Sequence, residues 1–383
     1  MKILFTDGKA LFLAEDGGVD EVPCYRLERY KETVREIREG KAWKTTGRGA
    51  QFMGVAQAQE DTEVFSQFGG LALYHGEFLY TLTLDASGGL YQRGISLKPE
   101  MEGHICSGND VRLGEIACCG DDAAACVLHP DGAAHIGLYK LPGSYCEEIT
   151  DGDSVESAPA WSQDGRTLYF STCGIARDAA GRPAAFSPRV IASYIPESGR
   201  LRVLLEDETF DCLSPKEDAD GSLWYIRQPY QPGEENGSHP LLDTLLFPVR
   251  MLKAFGGFLN VFSMRYGGES LRSDGGFSSA RSKQKSEKDL FFEGNLLHAE
   301  KNLRENRKDG DAYPGIVPRS RVLVRRAPDG TEEVREKAVL DYALCPGGGY
   351  VFSNGSHLLH RTTDGQLESL GKARLAVRLQ VIP

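Results

Sequence analysis

Turn residues recur along this chain at intervals close to the length of one four-stranded sheet, and that spacing restricts its fold more than any other feature. Gly8, Gly76, Asp122, Gly165, Gly221 and Gly348 each stand just before a short apolar run. The steps between them are 68, 46, 43, 56 and 127 residues, and counting on from Gly348 through the carboxyl terminus back to Gly8 gives 43. Four of these six steps lie between 43 and 56, which suits a repeat of four strands per unit. A Gly or Asp-Gly turn ahead of an apolar run is also the signature of a β-hairpin. Glycine supplies 44 of 383 residues, well above the usual ~7%, as a chain of many tight turns requires.

The clearest unit is Ser157-Ala158-Pro159-Ala160-Trp161-Ser162-Gln163-Asp164-Gly165-Arg166-Thr167-Leu168-Tyr169-Phe170-Ser171. It reads as a strand, an Asp-Gly turn and a second strand with Leu168 and Phe170 on one face. A third strand follows at 190–195, a turn at Glu197-Ser198-Gly199, and a fourth strand at 201–205. Four antiparallel strands in about 45 residues make one propeller blade. These residues resemble the blade motif of TolB-like β-propellers, with Gln163 where that family usually has proline. The resemblance implies a ring of blades, an architecture that hosts many functions.

The expected fold is therefore all-β, a six-bladed β-propeller closed by its N- and C-terminal strands. In this reading the tail Leu375-Ala376-Val377-Arg378-Leu379-Gln380-Val381 supplies the strand that the first blade lacks, which removes an exposed sheet edge. The propeller is expected over 1–227 and 319–383, with a mainly helical insertion over 228–318 in one blade. The two long steps hold the excess. One contains residues 26–40, whose Arg, Glu and Lys stand at i,i+4 helical spacing, with Gly40 as the expected stop. In the other, nothing strand-like follows Ile226 until Arg321.

Residues 241–266 of the insertion are the most hydrophobic stretch of the chain. Asp243, Pro248, Arg250, Lys253 and Gly256-Gly257 interrupt it, so a transmembrane span is not expected. Helical spacing from Pro248 places Arg250, Lys253, Gly257 and Asn260 on one stripe, with Met251, Leu252, Phe255, Phe258, Leu259, Val261 and Phe262 around the rest. Such a face needs burial against the protein's own ring, a partner or second copy, or a membrane surface. Residues 250–288 also carry eight Lys/Arg against three acids, in a chain of net charge −11. Arg250, Lys253, Phe255, Phe258, Phe262 and Arg265 are thus the expected partner or membrane contacts. Residues 270–287 read as a loop and 296–308 as a second, charged helix stopped by Asp309-Gly310.

Catalytic motifs are lacking. There is no G-x-S-x-G, P-loop, H-E-x-x-H or G-x-G-x-x-G between strand and helix, and no cofactor or metal is expected. Nine cysteines without a C-x-x-C suggest neither a disulfide framework nor a zinc knuckle. His357 and His360 are three apart in a strand and should face opposite sides. His129 and His135 flank the Pro130-Asp131-Gly132 turn, which could bring their rings together; turn decoration is the simpler expectation. Asp218-Ala219-Asp220-Gly221 lacks the spacing of a calcium loop. The acidic balance argues against nucleic acid, and the first residues meet Asp7 before any signal-like apolar run. The expectation is a cytoplasmic, non-catalytic binding or scaffold protein acting through the insertion, by self-association or with a protein partner, with peripheral membrane contact as a further option. The alternative is an enzyme or small-ligand-binding propeller with its site in the central funnel, built from one residue per blade.

Overall fold

The computed structural model describes residues 1–45, 64–85, 87–94, 102–178, 181–231, 289–292 and 295–382. Strands are numbered in chain order. The first blade holds β1 (Lys2–Thr6), β2 (Leu11–Glu15) and β3 (Gly18–Val22). The second holds β4 (Ser66–Tyr74), β5 (Glu77–Leu84), β6 (Gly88–Gly94) and β7 (Gly103–Gly108). The third holds β8 (Leu113–Cys119), β9 (Asp122–Leu128), β10 (Ala134–Lys140) and the short β11 (Cys146–Glu148). The fourth holds β12 (Ser154–Trp161), β13 (Leu168–Arg177), β15 (Val190–Ile195) and β16 (Arg200–Leu205), with β14 (Pro183–Phe186) extending β13 as a side hairpin. The fifth holds β17 (Phe210–Glu217), β18 (Leu223–Pro229), β21 (Val322–Arg326) and β22 (Glu332–Lys337). The sixth holds β23 (Asp341–Leu344), β24 (Tyr350–Ser353), β25 (His357–Arg361) and β26 (Leu367–Lys372). Finally β27 (Val377–Ile382) returns to pair antiparallel with β1, Lys2 opposite Ile382 and Ile3 opposite Val381.

Six blades follow from this pairing, blades 3 and 4 being bridged at one point where Ala134 of β10 lies parallel to Val155 of β12, and the ring is closed by the pairing of β27 with β1. The core proves the closure, because each pair of neighbouring blades shares its own apolar cluster. Leu4, Leu11 and Ile382 of blade 1 pack with Phe78, Tyr80 and Leu82 of blade 2. Ala124, Cys126 and Ile136 of blade 3 meet Leu168, Phe170 and Ala192 of blade 4. Ile3 and Phe5 meet Val351 and Leu358, which joins blade 6 back to blade 1. Strands in the middle of a blade are covered on both faces, so β5 (EFLYTLTL) is mostly apolar and is buried from Phe78 to Leu84. Outer strands face water, and β22 (EEVREK) carries charges that blunt its edge.

The Trp-Ser-x-Asp-Gly signature is a tight turn between β12 and β13. Ser162 Oγ donates to Asp164 Oδ1 at 2.6 Å, Arg166 N donates to the same oxygen at 3.0 Å, and Gly165 takes φ 69°. Gln163 reaches the next blade and donates through its side-chain amide to Glu217 O at 2.8 Å.

Inner strands β27, β4, β8, β12, β17 and β23 stand around the axis, neighbouring blades meeting along them. This order shows that Gly8 is offset from the other turn markers. Gly76, Asp122, Gly165, Gly221 and Gly348 lie at or beside turns between the first and second strands of their blades, whereas Gly8 joins the second and third strands of blade 1. The first hairpin of that blade is split between the chain ends, so the count of six holds while one marker moves by a strand.

Helix α1 (Tyr25–Thr45) follows β3 and runs past Gly40, beyond the expected stop. One glycine costs a helix about 1 kcal/mol, too little to end this one. Glu102 caps its start, accepting from Tyr25 N at 3.2 Å and Arg26 N at 2.8 Å, and is itself paired with Arg93 in full burial. Between β18 and β21 the described residues form a hairpin, β19 (Asp289–Phe292) with β20 (Asn295–His298), and helix α2 (Ala299–Lys308). Leu296 and Leu297, read from sequence as the start of the charged helix, belong to β20. The helix begins three residues later and ends at Asp309, as expected.

Candidate functional site

Two places gather polar chemistry, and a third fastens the insertion. The first is the ring axis. Five of the six inner strands carry a bulge, in the registers Phe68/Gly70, Leu113/Ile116, Ser157/Ala160, Leu213/Lys216 and, where β27 meets β1, Leu4/Thr6. Bulges re-aim side chains. Ala158, Ser214 and Arg378 adopt positive φ (50°, 53° and 58°), a conformation that costs a non-glycine residue about 1 kcal/mol or more.

Arg378 uses this geometry to run along the lining of three blades. Its Nη2 lies 2.9 Å from Glu115 Oε1 on β8, and its Nε donates to Gly69 O on β4 at 3.2 Å. Gly69 and Gly70 leave the room, since a Cβ on either would sit 2.7 Å from blade 3 backbone. Asp341 on β23 accepts from the backbone amides of Arg378 and Leu379. Lys216 on β17 donates to Tyr342 O and lies 4.8 Å over the Tyr342 ring, while Tyr342 Oη donates to Ser214 O at 2.8 Å. Burial lowers the Lys216 ammonium below its usual range, Asp341 opposes that shift and Arg378 adds to it. One charged residue each from blades 1, 3, 5 and 6 thus meets around the axis. The contacts of Arg378, Lys216 and Asp341 with one another's strands tie the blades together.

A second cluster lies where blade 3 faces blade 4. The Pro130-Asp131-Gly132 turn is held by Gly132 N donating to His129 O at 3.1 Å and Ala133 N to Asp131 Oδ1 at 3.1 Å. It sets the His129 and His135 rings 4.5 Å apart. Strand β11 folds back on β10 with Glu148 opposite Gly137. Glu148 Oε2 then lies 2.9 Å from His129 Nε2 and 3.1 Å from His135 Nδ1, while His135 Nε2 is 3.0 Å from Gly152 O. Side-chain exposure is 32%, 12% and 37% for His129, His135 and Glu148. Beside them Arg177 ties the blades, with Nη2 2.9 Å from Asp131 Oδ2 and Nε 2.5 Å from Asp153 Oδ1. Among the described residues, this is the group of three His, Cys, Asp or Glu side chains whose donor atoms converge closely enough for a metal ion. Sequence singled out the two histidines but missed Glu148, because the return of β11 onto β10 has no local signature.

The third place is the foot of the insertion. Asn302 on α2 donates to Ile316 O at 3.0 Å, and Asn306 to Gly315 O and Val317 O at 2.8 and 3.0 Å. Asn354, in the β24–β25 turn of blade 6, donates to Tyr313 O at 2.7 Å. Val317 is buried with Ala338, Leu340 and Val377. The sequence-expected contacts Arg250, Lys253, Phe255, Phe258, Phe262 and Arg265 lie outside the described residues. No helix among those described is long and apolar enough to cross a membrane.

The strand pairing defines the class: a six-bladed β-propeller with an excursion from one blade. No family model matches the sequence, nor does any curated protein. Among solved structures the chain is similar to TolB from Acinetobacter baumannii, at 10% identity and TM-score 0.47, covering 98% of this chain and 66% of that one. It is also similar to a protein assigned as TolB in Agrobacterium tumefaciens, at 14% identity and TM-score 0.43, covering 80% of each chain. Its structural neighbours are thus TolB-like β-propellers, and the chain spans just under two thirds of the length of the first.

Proposed function

We propose that the protein is a non-catalytic binding or scaffold protein that acts through the insertion between β18 and β21. The observation that carries this reading is the fastened foot. Asn302 and Asn306 clamp helix α2 to the returning arm, and Asn354 fastens that arm to blade 6, so whatever the insertion engages is coupled to the ring. Its residues 241–266 supply apolar and aromatic side chains, and 250–288 add an excess of Lys and Arg. That combination suits an anionic surface with an apolar layer, either the acidic body of a second copy or anionic lipid. An intracellular location belongs to the same proposal.

The test is a variant in which residues 237–288 are replaced by a short Gly-Ser linker that leaves α2 and its asparagines in place. The variant should keep the thermal unfolding transition of the ring. It should lose self-association in sedimentation velocity, or co-sedimentation with phosphatidylglycerol vesicles, whichever the full chain shows. Unfolding of the variant would make the insertion a part of the core and end the proposal. So would association undiminished by the deletion.

A further inference from the structure

We infer that His129, His135 and Glu148 form a binding site for a divalent first-row transition-metal ion, with His129 Nε2, His135 Nδ1 and a Glu148 carboxylate oxygen as ligands. The inference stands apart from the role proposed for the insertion. It starts from the Gly152 carbonyl, which can only accept a hydrogen bond. At 3.0 Å from His135 Nε2, it places the ring proton on that nitrogen. With that proton in place, Nδ1 is the nitrogen that faces Glu148 Oε2, 3.1 Å away, and it is free to ligate once a cation displaces any proton it carries. His129 Nε2 reaches the same oxygen at 2.9 Å. Two imidazole nitrogens and a carboxylate oxygen therefore converge on one point, where a cation would take the place of the protons that otherwise lie between them. A ligating histidine that donates its other N–H to a backbone carbonyl is the usual support for metal-bound imidazole.

The dimensions agree. With metal–nitrogen and metal–oxygen bonds of roughly 2.0–2.2 Å, neighbouring ligand atoms stand about 3 Å apart in an octahedral site and slightly further in a tetrahedral one. All three donor atoms lie within 4.8 Å of one another, and Glu148, at 37% exposure, is the most exposed of the three. Nitrogen-rich ligation selects ions such as Zn2+, Ni2+ or Fe2+ over Ca2+ and Mg2+, which prefer oxygen. Three protein ligands on a partly exposed rim leave at least one coordination position for water or a bound anion.

The experiment is equilibrium dialysis of the chelator-treated, untagged full chain against Zn2+, beside H129A, E148Q and a H360A control. Wild type and H360A should bind Zn2+ with equal affinity and gain in Tm on its addition. H129A and E148Q should each lose affinity by at least about tenfold, the upper scale being set by loss of support around a metal, and lose the Tm gain. Thiol-bound Zn2+ would be common to all four proteins and drops out of the comparison. H129A changes the more exposed histidine, and E148Q preserves side-chain shape, so one folded variant suffices. Equal Zn2+ binding by wild type, H129A and E148Q would overturn the inference and leave the cluster as a His–carboxylate ion pair only. Tighter binding of Ca2+ or Mg2+ than of Zn2+ would overturn the choice of ion.

Discussion

Arg378 on the closing strand β27 reaches past blade 2 to Glu115 on the inner strand of blade 3, Nη2 to Oε1 2.9 Å apart. The last strand of the chain therefore does more than complete its own sheet; it holds two further blades through one side chain. Both partners are mostly buried, and removing one leaves the other charge without compensation. Arg378→Met should cost about 3 kcal/mol in urea unfolding, and Glu115→Gln somewhat less. The double variant should recover part of the sum, because the stranded charge is then gone. Additive losses would show that the pair does not couple the blades.

Glu156 on β12 gives a pH signature. Its side chain accepts from Thr172 Oγ1 at 2.9 Å and Thr150 Oγ1 at 3.3 Å, yet burial is the largest influence and raises its pKa above the usual carboxylate value. A raised carboxyl pKa means that ionisation destabilises the folded chain, and this cost grows as pH rises from the unfolded value through the folded one. Glu156→Gln should therefore gain stability relative to wild type between about pH 4 and about pH 8. Paired denaturation curves at the two pH values check the sign.

Burial should also silence most thiols. It pushes Cys24 up to about 11 and Cys118 and Cys212 up to about 12, and raises Cys126 well above the usual value. Thiolate is the reactive form, so these four should resist a disulfide reagent at neutral pH while the protein is folded. All nine should react in denaturant. Rapid native labelling of Cys126 would contradict the packing between blades 3 and 4.

The outer strand of blade 4 lacks the charged pattern of β22. Leu201, Val203 and Leu204 on β16 are 55%, 57% and 42% exposed, and an apolar edge invites pairing with another chain. Val203→Lys should reduce aggregation on prolonged warming, seen by light scattering, with a change in stability within about 0.5 kcal/mol.

The blade count was legible because most first turns recur about one blade apart, with Gly76, Gly165 and Gly221 all at positive φ. Gly8 looked like one more first turn because blade 1 is divided between the termini, and a local motif cannot show which strand of a blade it follows. The hairpin β19–β20 was hidden because Leu296-Leu297 runs directly into charges at helical spacing. Around the axis, Glu115, Lys216, Asp341 and Arg378 come from four blades with no shared motif, so only the closed ring brings them together. The His129–His135 pair was half visible through its turn; Glu148 needed the return of β11.

The role proposed for the insertion is tested most directly by hydrogen–deuterium exchange on the full chain, free and associated with phosphatidylglycerol vesicles or concentrated to self-association. Amides within 241–266 should gain protection on association while those of β5, β13 and β24 stay unchanged. Protection confined to the blades, with 241–266 unaffected, would contradict the account.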